Sequence, residues 1–155
     1  MNSENYRMAL ERAMALCSRS EKCRHDIMAK LKAWKLTGDD ENASIIKELT
    51  AGKFIDEKRY AAAFTRDKIR FNKWGRIKIR AMLKSRGIGD PDIEHGLGAI
   101  DHDQYLQMIE EGIKDKLRTV KAGNTYELKG KLSRFASSRG YEHEYVFDII
   151  NRLTS

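Results

Sequence analysis

Helical periodicity is the feature that most constrains how this chain can fold. Apolar residues recur at three- and four-residue spacing almost throughout, and no segment of useful length alternates as a strand would. The only proline, Pro91, follows Asp90 as a first-turn proline follows a capping acid. Glycines stand just past the periodic segments, where helices end: Gly38, Gly52, Gly87, Gly89, Gly123 and Gly140. The sequence therefore predicts an all-α chain of about nine helices, each of roughly 8 to 18 residues.

Capping residues predict where several of these helices begin. Ser18 with Glu21, and Asn124 with Glu127, have the spacing of a capping box, in which two side chains satisfy free backbone N–H groups at a helix start. Asp56 precedes a periodic segment and is a candidate N-cap. We expect helices to start after each of these residues.

The helices recur in threes. A shift of 52 residues places Ile27 on Ile79 and Leu31 on Leu83. A period near 50 residues is the length of a three-helix unit, which is too small to bury much apolar surface alone. We therefore predict tandem three-helix repeats at residues 1–53, 54–101 and 102–155, forming an elongated, curved array. The alternative is that apolar positions in any helical chain match by chance at some offset.

The last predicted repeat is rich in apolar residues. We expect it to be folded around a core that contains Tyr126, Leu128, Leu132, Phe135, Tyr141, Val146, Ile149, Ile150 and Leu153.

Charge is concentrated in the middle of the chain. The segment 53–88 holds twelve Lys and Arg against three acids, a local net charge of +9 that exceeds the +7 of the whole protein. Residues 89–112 hold seven acids and no Lys or Arg. Such polarity favours a charged partner, with nucleic acid or a nucleoprotein surface as the leading candidate. The competing interpretation is that the acidic segment docks onto the basic one within the molecule.

Helical angles separate core residues from basic residues in this segment. At about 100° per residue, Tyr60, Ala61, Phe64 and Phe71 share one face, which we predict to be the core side. Basic side chains form one row on another face of this helix and a second row on the next helix, with Lys73 and Trp74 in the turn between them. We predict that partner contacts are made by Arg59, Arg66, Arg70, Lys73, Trp74, Arg76, Arg80 and Lys84. Arginine suits phosphate or carboxylate groups because its planar guanidinium donates two hydrogen bonds in a fixed fork.

The order of residues in this segment resembles the central signature of the RecX family of bacterial recombinase regulators. The matching parts are Phe54-Ile55-Asp56-Glu57-Lys58-Arg59-Tyr60-Ala61, Phe64, Lys73-Trp74-Gly75-Arg76-Ile77 and Leu83-Lys84-Ser85-Arg86-Gly87-Ile88. Upstream, the segment 18–31 resembles the family's first-unit helix. One residue departs from the family pattern: Trp74 stands where a small or flexible residue is common, so the turn geometry differs or an aromatic ring is exposed for stacking on a base.

The resemblance implies a small all-α protein of tandem three-helix repeats that binds filaments of the RecA recombinase. It would act chiefly as an inhibitor of strand exchange and of the filament's ATPase, with its basic surface toward protein acids and bound DNA. It implies no catalytic residues, and we expect no cofactor and a monomer. Direct binding to single- or double-stranded DNA stays open.

The residues themselves offer little for catalysis or metal binding. The chain has no Ser/His/Asp arrangement and no phosphate-cradling glycine loop. His95 and His102 lie among acids without the fixed spacing of metal ligands, and Cys23 with His25 lacks a second ligand pair. We interpret Cys17 and Cys23 as reduced helix residues. The N-terminus does not resemble a signal peptide and no apolar run is long enough for a bilayer, so we expect a cytoplasmic protein without a membrane partner.

Two function classes follow from these observations. The first is an interaction protein that binds a recombinase filament. The second is a non-catalytic helical DNA-binding protein whose basic rows sit on phosphates. Their salt dependence distinguishes them, because phosphate contacts weaken steeply as salt rises.

Overall fold

The computed structural model describes residues 3–155, and within that range the chain forms nine α-helices and no strand. The helices are α1 (Ser3–Arg19), α2 (Arg24–Trp34), α3 (Asp39–Ala51), α4 (Glu57–Asp67), α5 (Arg76–Ser85), α6 (Asp90–Gly98), α7 (His102–Thr119), α8 (Thr125–Arg139) and α9 (His143–Thr154). The prediction of an all-α chain of about nine helices is confirmed. None of the helices in this range combines the length and apolar character that a bilayer span requires.

Two of the three predicted helix starts are confirmed. The Asn124 side chain accepts a hydrogen bond from the backbone N–H of Glu127 at 2.8 Å, and Asp56 accepts from that of Arg59 at 3.0 Å. The start predicted at Ser18 is wrong, because α1 runs on to Arg19 and the Ser18 hydroxyl donates back to the Met14 carbonyl. Helix α2 starts later, with Cys23 as its N-cap. A Ser inside a helix can satisfy its hydroxyl on the preceding turn, so spacing alone does not mark a cap.

The chain divides into two compact units. One unit comprises the residues up to Phe64 together with Leu83–Gly96, and the other comprises Thr65–Met82 together with Leu97–Ser155. We call them unit 1 and unit 2. Helices α4, α5 and α6 each contribute residues to both. The threefold repeat remains a prediction from the sequence.

Unit 1 has a core of aliphatic side chains from α1, α2, α3 and the segment that follows α3. Its buried members are Ala9, Ala13, Ile27, Leu31, Ile45, Ile46, Leu49 and Ile55. The two alanines on α1 stand one helical turn apart, so they let the other two helices approach α1 closely. Full burial of each large aliphatic side chain stabilises the fold by about 1.5–3 kcal/mol.

Unit 2 has a core built on α7, α8 and α9. Five residues predicted for this core are buried there: Leu132, Tyr141, Val146, Ile149 and Ile150. Tyr126 was predicted with them and is wrong, since it is 90% exposed. It lies in the first turn of α8, about 200° around the helix from Leu128, which packs on the core.

Two glycines of α6 provide a test of packing between α6 and α4. A Cβ added at Gly96 would lie 2.8 Å from the Ala61 carbonyl oxygen, whereas one added at Gly98 would meet nothing within 4 Å. We expect Gly96→Ala to lower the free energy of unfolding by about 1–3 kcal/mol through overpacking. We expect Gly98→Ala to be neutral or to stabilise by up to about 1 kcal/mol. Urea unfolding followed by circular dichroism measures both, and equal stabilities of the two variants would contradict the close approach.

Candidate partner-binding surface

Most of the predicted contact residues lie in one segment of unit 2. Six of the eight fall within Thr65–Met82: Arg66, Arg70, Lys73, Trp74, Arg76 and Arg80. Arg59 and Lys84 belong to unit 1. The structure separates these residues into some that are held by internal partners and some that are exposed to solvent.

A π-helical turn, Lys68–Asn72, continues α4 and changes the register of its side chains. It is closed by a hydrogen bond from the Trp74 N–H to the Lys68 carbonyl at 3.2 Å. The wider turn rotates Phe71 away from the face it would occupy in a regular α-helix. The prediction that Phe71 lies on the core side is therefore wrong, and its side chain is 70% exposed. Tyr60, Ala61 and Phe64, which precede the turn, are buried as predicted.

Two glycine backbones fix the turn that follows. The Gly75 N–H donates to the Arg139 carbonyl at 2.6 Å, and the Ile77 N–H donates to the Gly140 carbonyl at 3.1 Å. A Cβ at Gly75 would lie 2.2 Å from the Gly140 oxygen, so only glycine fits there. The Tyr141 hydroxyl donates to the Lys73 carbonyl at 2.7 Å. Lys73 itself adopts the left-handed conformation, with φ of 56°.

Arg76 is held by a polar network. Its guanidinium pairs with the Glu142 carboxylate at 2.9 Å and lies 4.1 Å from the centre of the Tyr105 ring. The Tyr105 hydroxyl accepts from the Arg76 backbone N–H at 2.8 Å and donates to Glu142. Burial, and then the hydrogen bond to Glu142, raise the pKa of the Tyr105 hydroxyl. Because the Arg76 and Glu142 side chains are only 20% and 21% exposed, we assign Arg76 mainly to the support of the turn.

Three cations of this segment project into solvent. Arg66, Arg70 and Lys73 are exposed, and none of their side chains forms an ion pair or hydrogen bond with another described residue. The Arg70 guanidinium lies 5.2 Å from the centre of the exposed Phe71 ring. We call these three residues with Phe71 the basic turn. A planar guanidinium beside an exposed ring offers both charge and flat apolar surface to a partner.

Trp74 is half-buried and lies close to two lysine side chains. The ammonium groups of Lys68 and Lys78 lie 4.9 Å and 4.5 Å from the centre of its ring. Cations over an indole ring are attracted by its negative face, by about 0.5–1 kcal/mol at exposed sites. The indole is thus already in contact with two cations of its own unit.

The two predicted residues in unit 1 have partners there. Arg59 donates to Glu21 at 2.6 Å and to the carbonyls of Lys53 and Phe54, and its hydrogen bond with Glu21 raises its pKa. Lys84 lies 3.6 Å from Asp90, and both side chains are largely exposed. Arg80, in unit 2, is half-buried.

One group of side chains has donor atoms close enough to hold a metal ion. Donor atoms of Cys23, His25 and Asp26 lie within 4.8 Å of one another. Two features disfavour a cation there. Burial raises the pKa of the Cys23 thiol to about 11, so the thiol stays protonated near neutral pH, and the Arg86 guanidinium lies 3.8 Å from the Asp26 carboxylate. Cys23 precedes α2 rather than lying within it, and both cysteines are free thiols.

Sequence reasoning missed the residues that hold the basic turn in place. Glu142, Tyr105 and Tyr141 reach Arg76 and Lys73 across 66, 29 and 68 positions. No local spacing rule connects residues so far apart. For the close approach of Gly75 to Gly140, the sequence marks Gly140 as a helix end and Gly75 as part of the family signature, but nothing in it indicates that the two meet.

Comparison with known proteins finds a family model and two curated proteins that are similar to this chain. The family model of the second three-helix domain of RecX matches residues 56–97. Regulatory protein RecX of Clostridium botulinum strain Eklund 17B is 30% identical over 144 residues, covering 90% of this chain and 66% of the relative. Regulatory protein RecX of Clostridium acetobutylicum is 26% identical over 159 residues, covering 100% of this chain and 73% of the relative. The chain thus spans about two thirds to three quarters of these relatives.

Solved structures share the fold. A crystal structure of regulatory protein RecX superposes with a TM-score of 0.86 at 23% identity, covering 97% of this chain and 74% of the other. The crystal structure of RecX from Lactobacillus salivarius gives a TM-score of 0.82 at 18% identity, covering 98% of both chains. At this identity the likeness establishes the fold alone.

The Arg76 network predicts a difference in stability between two arginines of the same segment. We expect Arg76→Gln to lower the free energy of unfolding by about 1–3 kcal/mol, because it leaves the half-buried Glu142 carboxylate without its cation. We expect Arg66→Gln to change it by less than about 0.5 kcal/mol, because Arg66 is exposed. Chemical denaturation of both variants checks this assignment. An Arg76→Gln protein as stable as the parent would place Arg76 among the residues available to a partner.

Proposed function

Because the chain belongs to the RecX family of regulatory proteins, we propose that it binds filaments of a RecA-type recombinase and inhibits or modulates their recombinase and ATPase activity. In this proposal it acts in DNA repair and recombination, in the cytoplasm, as a monomer and without catalysis. The names of the relatives support a regulatory role.

The observation that carries the proposal is the basic turn. Arg66, Arg70 and Lys73 lie inside the family-matched segment, and none of them forms an ion pair with a described acid. Keeping three like charges exposed close together costs free energy in the isolated protein. A partner that presents carboxylates or phosphates would remove that cost on binding. Filaments of a recombinase on DNA present both groups.

The second candidate function is a DNA-binding protein that acts through phosphate contacts. The same three cations favour it, since Arg and Lys contacts to phosphate need no particular base sequence. In that case the recombinase would be displaced from DNA by competition rather than bound. The two candidates share a surface and differ in what that surface touches.

Charge reversal in the basic turn tests the first candidate. We expect Arg66→Glu with Arg70→Glu to abolish inhibition of RecA ATP hydrolysis on single-stranded DNA, because the variant would repel the acids or phosphates that the parent attracts. Steady-state ATPase assays over a range of regulator concentrations measure the effect. The thermal unfolding of the variant should match that of the parent, since both side chains are exposed.

A matched control separates the position of the charges from their number. Arg7→Glu with Arg19→Glu changes the net charge equally at two exposed arginines of α1. This control should inhibit as the parent does. If both double variants lost inhibition equally, the effect would come from overall charge rather than from position. If the Arg66/Arg70 variant still inhibited as the parent does, the basic turn would not be part of the binding site.

Salt dependence tests the second candidate. Binding dominated by phosphates should weaken linearly in a plot of log affinity against log salt, with a slope of about 0.9 for each phosphate neutralised on duplex DNA. We expect filament binding to survive salt that releases the protein from bare DNA, and to saturate at a fixed ratio to recombinase subunits. Fluorescence anisotropy on DNA and co-sedimentation with filaments give the two curves. Coincident curves, with no effect on ATP hydrolysis, would favour the DNA-binding function.

A further inference from the structure

Unit 1 contains a wide surface groove that the basic turn does not explain. Its volume is about 940 Å³, and it is lined by residues of α2, α3, the start of α4 and the end of α5. All of these residues belong to unit 1. We propose that this groove is a docking site for an acidic amphipathic helix of the recombinase, and this inference rests on the proposed function.

The floor of the groove has the pattern that a docked helix requires. Helix α3 lines the groove with residues at spacings of three, four and one, which places them on one helical face: Ala43, Ile46, Thr50 and Ala51. Ala43, Thr50 and Ala51 are exposed, although a helix face of this composition usually packs against something. The face runs for about 12 Å, or a little over two helical turns. Its small side chains permit close approach of a second helix.

Met28 of α2 completes the floor. It is half-buried and packs against the core of unit 1. An unbranched thioether side chain adapts its shape to different partners, which is why methionine is frequent at peptide-binding grooves. The floor therefore suits aliphatic anchor residues of a bound helix, spaced three or four apart.

The rim of the groove is basic. Arg24, Lys47, Lys84 and Arg86 line it against one acid, Glu57. Glu57 is engaged with Arg24, accepting hydrogen bonds from its backbone N–H and its Nε at 3.3 Å each. Lys47 is exposed and forms no ion pair with any described residue. A partner helix with acids on either side of its apolar face would therefore meet complementary charge.

Arg86, which lines the groove, is held in one position by its own contacts. Its guanidinium donates to the Tyr60 hydroxyl, lies 3.8 Å from Asp26 and lies 5.1 Å from the centre of the Phe64 ring. These contacts hold a long side chain in one position, so less conformational entropy is lost when a carboxylate binds it.

The lining favours protein over nucleic acid. Single strands are held by stacking of their bases on aromatic rings, and no Phe, Tyr or Trp is among the described residues that line the groove. An aliphatic floor offers phosphate groups neither hydrogen-bond donors nor positive charge. An acidic amphipathic helix uses both the floor and the rim.

Charge reversal at the rim provides the first test. Lys47→Glu should weaken co-sedimentation with RecA filaments by about tenfold or more, because it replaces the unpaired cation of the rim. Lys30→Glu is the matched control: Lys30 is an exposed lysine of α2 that does not line the groove. It should bind as the parent does. If Lys47→Glu also binds like the parent while the parent binds filaments, the groove inference fails and the proposed function stands.

Photo-crosslinking identifies the occupant. A benzoylphenylalanine at position 43 should crosslink to a recombinase peptide with acids flanking apolar residues at helical spacing, and one at position 30 should not. Mass spectrometry maps the product. Crosslinks from position 43 to DNA alone, to a recombinase segment without that pattern, or to nothing would overturn the inference. Failure of the unmodified protein to bind filaments at all would overturn the proposed function as well, which distinguishes the two failures.

Discussion

A backbone contact between two glycines sets the position of the basic turn in unit 2. Gly75 and Gly140 approach so closely that a Cβ at position 75 would lie 2.2 Å from the Gly140 oxygen. Two main-chain hydrogen bonds cross this contact, and the Tyr141 hydroxyl binds the Lys73 carbonyl beside it. The turn is therefore held by backbone contacts, by the Tyr141 hydroxyl and by the Arg76–Glu142 pair. Its exposed cations contribute nothing to that support, so their charge stays available to a partner.

Arginine has two separate roles in the family-matched segment. Arg76 and Arg59 have carboxylate partners far away in sequence, at separations of 66 and 38 residues. Arg66 and Arg70 have none among the described residues. A surface ion pair is worth about 0–1 kcal/mol, whereas breaking a half-buried, hydrogen-bonded pair costs more. We therefore expect substitution of Arg76 to change mainly stability, and substitution of Arg66 or Arg70 to change mainly binding.

The sequence predicts the helices well and the contact residues only partly. Periodicity and the caps at Asp56 and Asn124 depend on local rules, which is why they appear in the structure. The prediction for Phe71 is wrong because one π-helical turn changes the register of the side chains, and no residue type or spacing in the sequence indicates such a turn. Tyr126 fails because it lies about 200° around α8 from Leu128, which packs on the core. The pairing of Arg76 with Glu142 is invisible to local rules, since tertiary structure alone brings them together.

The acidic segment 89–112 could neutralise the basic segment within the molecule, and its contacts do so at Lys84 but not at the basic turn. Glu110 pairs with Arg152 and Lys114, Asp101 caps α7, and Asp90 lies near Lys84. Arg66, Arg70 and Lys73 form no ion pair with these acids or with any other described residue. Within α7, Glu110 neutralises the charge of Lys114, and Asp101 interacts favourably with the positive N-terminal end of the helix. The positive charge of the basic turn is thus left uncompensated within unit 2, and a partner that supplies carboxylates or phosphates can bind it without first displacing an internal acid.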